Sequence, residues 1–161
     1  RLRDLGQGIE RFYSGIRPLV DAGRLGPVLW QLPENFHRDD DLLASALDAL
    51  PAGRHAWEFR HESWFADGVY DLLREHGCAL VYGDDPERPF QEHVALTDWG
   101  LVRLHRGRRG HRGNYSEAEL ETWARRLRQW RRHEELVVYF NNDWEGFAVR
   151  NALRLRELLG A

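Results

Sequence analysis

Strand-like and helix-like periodicities alternate along this chain, and that alternation limits its fold more than any other feature. Apolar runs of strand length lie at residues 28–32, 55–61, 78–82, 101–105 and 136–141. Helical spacing follows four of the five. The first such stretch starts at Asp40 or Asp41, either of which suits an N-cap, and reaches about Leu50. The others run from about 65 to 76, from 117 to about 133, and from about 146 to 159. An earlier helix is predicted over 8–23, where Ile9, Phe12, Ile16, Leu19 and Val20 share a face and Pro18 threatens continuity. Pro51-Ala52-Gly53 and Gly77 act as stops, and Ser116 with Glu119 reads as a capping box. Residues 86–98 read as loop. Strands that alternate with helices pair in parallel through right-handed crossovers. The chain is therefore predicted to be one α/β domain over 1–161, either an open doubly wound sheet or part of a (β/α)8 barrel.

Three of the strand patterns carry polar groups on one face. Alternate side chains of a strand point to opposite faces. Trp57 and Phe59 thus oppose Glu58 and Arg60. Val102 and Leu104 oppose Arg103 and His105, and Val138 and Phe140 oppose Tyr139 and Asn141. The apolar face suits packing against helices. The polar face turns toward a shared interior, where charge is costly unless paired and hydrogen-bonded. Polar groups at the C-terminal halves of successive strands favour the barrel, whose sites lie at that end. No GxGxxG or Walker A sequence occurs to favour a nucleotide-binding open sheet.

Composition narrows the functional classes. The net charge is −3, with 42% apolar and 30% charged residues, which suits a soluble globular chain and gives no global nucleic-acid signature. No apolar run approaches the roughly 20 residues that span a membrane. Cys78 is the single cysteine, so no internal disulfide forms; a reducing cytoplasm is the expected location and Cys78 reads as a small core residue. Every one of the 23 basic residues is Arg, for which coding bias is the plain reading. The Arg-rich stretch 103–112 continues a strand into a loop, and 125–132 lies on a helix as a solvated face. The sequence contains no Met. Translation begins with Met, so the natural N-terminus is expected to lie outside this sequence.

Several segments together carry a family resemblance. EFRHESW (58–64), RLHRG (103–107), NYSEAEL (114–120) and YFNND (139–143), in this order, resemble the domain of unknown function family 72, the YecE-like proteins. GPVLWQLPENF (26–36) fits the same pattern. The resemblance implies a TIM-like barrel of about 240–280 residues, of which this chain would hold about the last five strands with their helices. It implies no activity, because the family's biochemistry is not established.

The polar faces supply the candidate site. Arg60 and Arg103 suit an anion because the planar guanidinium grips phosphate or carboxylate bidentately. Glu58 either pairs with Arg60 or serves as a base, and Arg103 either joins the anion or pairs with Glu58. The imidazole of His105 suits acid, base or ligand duty. Gln31 ends its strand facing inward. Trp64 is either a stacking platform or a staple for the next helix, and Tyr115 is placed to fold over the mouth. Asn141 and Asp143 face inward and Asn142 outward if the alternation persists; otherwise they form a turn, with Asp143 capping the last helix. His105, Glu58, Asp84 and Asp143 are the conceivable metal ligands, but no ligand spacing supports a metal. The residues specify no cofactor. The leading expectation is an enzyme that binds a phosphate-containing anion, nucleic acid included, at the barrel mouth. The competing one is a non-catalytic module that binds a ligand or nucleic acid through the loop 106–112. Open sheet edges would also favour edge-to-edge self-association.

Overall fold

Parallel strands and amphipathic helices alternate as the periodicity requires. The computed structural model describes residues 5–85, 88, 90–108, 113–130 and 134–160. The chain divides into two compact units, residues 1–79 and 80–161.

The first unit runs α1 (Leu5–Gly15), α2 (Arg17–Asp21), β1 (Val28–Gln31), α3 (Asp40–Asp48), β2 (His55–Glu58), a 3-10 turn (Glu62–Trp64) and α4 (Asp67–Glu75). The single helix predicted over 8–23 is two, broken at Ile16. Pro18 sits in the first turn of α2, where its missing N–H is no loss. β1 and β2 are parallel, in register from Val28 opposite His55 to Gln31 opposite Glu58. The last ladder bond is Leu32 N–H to the Glu58 carbonyl, at 3.0 Å. β2 stops at Glu58 rather than at the predicted 61. α3 is capped by Asp39, not by Asp40 or Asp41. The Asp39 carboxylate accepts the Leu42 N–H at 3.0 Å, whereas Asp40 is drawn to the Arg38 guanidinium at 2.6 Å. α4 ends as predicted at Gly77, whose φ of +62° suits glycine, and Cys78 N–H then reaches the Leu73 carbonyl. Cys78 is buried, and burial pushes its thiol up to about 11.

The second unit is built on β3 (Ala79–Gly83), β4 (Trp99–Leu104), α5 (Glu117–Gln129), β5 (Glu135–Phe140), a second 3-10 turn (Trp144–Gly146) and α6 (Phe147–Leu159). The three strands are parallel and follow one another in chain order, with Gly83 opposite Arg103 and Arg103 opposite Tyr139. Between β3 and β4 the described residues form neither helix nor strand, as expected for the long loop. Tyr82, Val102 and Leu104 pack with Leu120, Trp123, Leu127 of α5 and Leu155 of α6, and Val138 and Phe140 of β5 lie against the same cluster. Each buried Leu or Val side chain contributes about 1.5–3 kcal/mol. The strand faces predicted to meet helices therefore do so, and Arg103 and Tyr139 take the opposite face. α5 opens on the predicted capping box: Ser116 Oγ accepts the Glu119 N–H and the Glu119 carboxylate accepts the Ser116 N–H. The predicted helix end at 133 lies outside the described residues. Among the described residues no helix is long and apolar enough to cross a membrane.

Candidate functional site

In the first unit the strand ends bring Gln31 opposite Glu58. The Glu58 side chain is 1% exposed, and its Oε1 accepts the Arg60 Nε–H at 3.1 Å. The Glu58–Arg60 ion pair foreseen from the strand pattern is thus present, with Arg60 just past the end of β2. Gln31 is exposed at its strand end. Trp64 is fully buried. Phe59 stacks on it at 4.9 Å between ring centroids and Phe36 at 5.9 Å, and its indole N–H donates to the Phe36 carbonyl at 2.7 Å. Trp64 thus packs among aromatic rings with no exposed surface to offer as a stacking platform.

In the second unit the C-terminal ends of β3 and β4 meet at Asp84. Its Oδ1 accepts the His105 backbone N–H at 2.8 Å, and its Oδ2 accepts the Tyr115 hydroxyl proton. This bond explains why β4 ends at Leu104: the next N–H is diverted from the ladder to a side chain. Tyr115 is buried, edge-on to Phe140. Burial raises the Asp84 carboxyl above the ordinary carboxylate value of 3.8, partly offset by the bonds from Tyr115 and His105. Burial and the neighbouring Asp84 charge push the Tyr115 phenol well up.

A cleft of about 430 Å³ opens beside this node. Arg88, Arg106, Arg108 and Arg126 line it, with Asp84, Asp85 and Glu119. Asp85 pairs with Arg88 and lies 3.7 Å from an Arg106 guanidinium nitrogen. Arg126 stands 5.1 Å over the Trp123 ring. At Gly83 a Cβ would displace the Gln91 amide, the far end of a flexible side chain, and His93 Nε2 bonds the Gly83 carbonyl at 2.9 Å. Gly107 N–H donates to the Gly113 carbonyl at 3.0 Å, closing the Arg-rich loop at its base. A side chain at Gly107 would strike the Asn114 carbonyl. Arg109 and Arg112 of that loop lie outside the described residues.

Of the predicted site residues, Tyr115 and His105 come together at Asp84. Arg103 is on the inner strand face beside Gly83 and Tyr139 and does not line the cleft. Asn141 and Asp143 are exposed past β5. Asp143 makes no capping bond. α6 begins after Gly146, which takes φ +72°, so the expected Asp143 cap is replaced by a left-handed turn. Asn142, expected to face outward, is the buried member of the triplet: Nδ2 donates to the Gly113 carbonyl at 3.0 Å and to Asn151 Oδ1 at 2.8 Å. Asp84 was legible only as a remote metal ligand, since Gly83-Asp84-Asp85-Pro86 has the composition of a turn. Among the described residues no group of three or more His, Cys, Asp or Glu is placed to hold a metal.

The family model for the protein of unknown function DUF72 matches residues 1–161. The chain belongs to the DUF72 family. The DUF72 protein TM1631 of Thermotoga maritima MSB8 is 31% identical, with a TM-score of 0.86 over 99% of this chain and 67% of its own. Two crystal structures of the DUF72 protein EF0366 of Enterococcus faecalis V583 are 22% and 24% identical, with TM-scores of 0.82 and 0.79. They are covered over 66% and 68% of their length by 97% and 95% of this chain, a likeness of fold. The chain thus spans about two thirds of the length of each DUF72 structure, and its parallel α/β architecture is that of a partial TIM-like barrel. No curated protein matches it.

Proposed function

We propose that this DUF72 chain forms part of an enzyme that binds a phosphate-containing anion at the C-terminal ends of its strands. One observation carries the reading: the cleft beside β3 and β4 is lined by four arginines and by the half-buried carboxyl of Asp84. Guanidinium forks match the oxygens of a phosphate, and a concave site holding a displaced titratable group is where ligand chemistry concentrates. Strand C-termini are also where barrels of this type keep their sites. In this reading Arg106 and Arg126 hold the anion. In the second unit His105 remains a candidate proton-handling group, Arg103 an inner-face anion ligand and Asn141 and Asp143 polar candidates; in the first unit, taken by itself, Glu58 remains a candidate proton-handling group, Arg60 an anion ligand and Gln31 a polar candidate.

The reading is tested by calorimetric titration with inorganic phosphate and pyrophosphate. Saturable binding is expected, weakened about tenfold or more in Arg106→Ala and in Arg126→Ala, since a hydrogen bond to a charged group contributes about 1.5–3 kcal/mol. Loss in Arg103→Ala or Arg60→Ala, with the cleft variants unaffected, would move the ligand to the inner face. No binding of either anion would reject the reading.

A further inference from the structure

Resting on that anion reading, we propose that the cleft takes up a dianion together with one proton, and that Asp84 receives the proton. The argument begins with charge. Two of the arginines are partly committed, since Asp85 holds Arg88 and lies beside Arg106, and the Glu119 carboxylate adds a further negative charge to the lining. A dianion entering here meets Asp84 as a like charge at a half-buried position, where such pairs force one partner to give up its charge. Burial has already displaced the Asp84 carboxyl toward its neutral form.

The hydrogen bonding accommodates that neutral form without loss. The ionised Asp84 accepts from Tyr115 and from the His105 N–H. A protonated Asp84 keeps the His105 bond on Oδ1 and donates its new O–H to the Tyr115 oxygen. A hydroxyl carries two lone pairs and one proton. The Tyr115 oxygen, hydrogen-bonded also to the Arg106 backbone, then accepts twice and turns its own proton into the cleft that it lines. Protonation of Asp84 thereby removes a repulsion and creates a donor aimed at the anion. The charged and titratable groups around Asp84 come from four places. His105, Arg106 and Arg108 follow β4, Tyr115 precedes α5, Glu119 and Arg126 stand on α5, and Asp85, Arg88 and His93 belong to the β3–β4 loop.

Sulfate is the probe, because it stays a dianion across the range of measurement. Calorimetry from about pH 5.5 to 8 is expected to show affinity falling about tenfold per pH unit above the Asp84 pKa, the limiting slope for one linked proton. Two buffers of different ionisation heat should report uptake approaching one proton. Asp84→Asn, which keeps an oxygen for His105 and an N–H for Tyr115, is expected to bind sulfate without slope across this range and more tightly at about pH 8 than the unaltered protein does. If that variant does not fold, the Asp84 carboxyl 13C resonance decides, and on sulfate saturation at about pH 7 it should move to the position of the acid. Flat sulfate affinity, an unmoved Asp84 resonance, or a slope surviving in folded Asp84→Asn overturns the proton coupling through Asp84 and leaves anion binding standing. No sulfate binding at any pH overturns the proton-coupled uptake of a dianion, while the phosphate and pyrophosphate titrations decide the anion reading by themselves.

Discussion

Burial acts on His55 against its charge and on Asp84 against its charge, with opposite consequences for pKa. His55 is 4% exposed. Its Nδ1 accepts the Trp30 indole N–H at 3.1 Å and its Nε2–H meets the Pro51 carbonyl at 2.8 Å. A proton on Nδ1 would confront the indole donor, and burial lowers the imidazole below its ordinary value of 6.5. The folded pKa lies below the unfolded one, so above 6.5 both states are neutral and the residue adds no pH dependence. As pH falls through 6.5 the unfolded chain takes up a proton that the folded chain resists, and stability drops. The stability difference between the unaltered protein and His55→Gln should therefore narrow from about pH 7.5 to 5.5, by at most about 1.4 kcal/mol. Urea unfolding at the two pH values checks this, and a constant difference would refute it. At this scale the sequence was legible where partners are near: Glu58 and Arg60, two residues apart, form their expected pair. Asp84 was not, because its partner Tyr115 is 31 residues away and nothing local announces the contact. Asn142 misled for another reason: the alternation that placed it outward stops with β5 at Phe140, and Asn151 of α6 then captures it.

Elements whose ends are set by local chemistry matched their expected limits best. The Ser116–Glu119 box and the Gly77 stop are examples, since each needs only residues within one turn. The ends that shifted were set by long-range partners, as when β4 surrenders its next N–H to Asp84. The box of α5 also reaches beyond its helix, because the Glu119 carboxylate accepts the Arg108 N–H. Ser116→Ala should cost about 1 kcal/mol in urea unfolding. It should also speed hydrogen exchange at Arg108, whose acceptor the box orients; unchanged exchange there would separate the cap from the loop.

For the molecule as a whole, strand order was readable because parallel strands joined by helices leave few topologies. Which face meets the helices was readable from alternation, as Val102 and Leu104 against Arg103 show. Surface complementarity was not. Trp144, Val149 and Leu153 are 55%, 62% and 46% exposed at and beyond the start of α6, an apolar surface that favours association. The chain is expected to self-associate in sedimentation velocity at micromolar concentration, and Val149→Glu with Leu153→Glu should shift it toward monomer. A monomer at all concentrations in the unaltered chain would contradict this.

The bond between Gly107 and Gly113 has an evolutionary consequence. Because the two stems of the Arg-rich loop already touch, the span between them is a cassette. Its length can change at a closure cost that grows by only about 0.6 kcal/mol per doubling, while Asn142 holds the Gly113 side of the socket. Members of one family could thus vary this loop without renegotiating the strands that carry it.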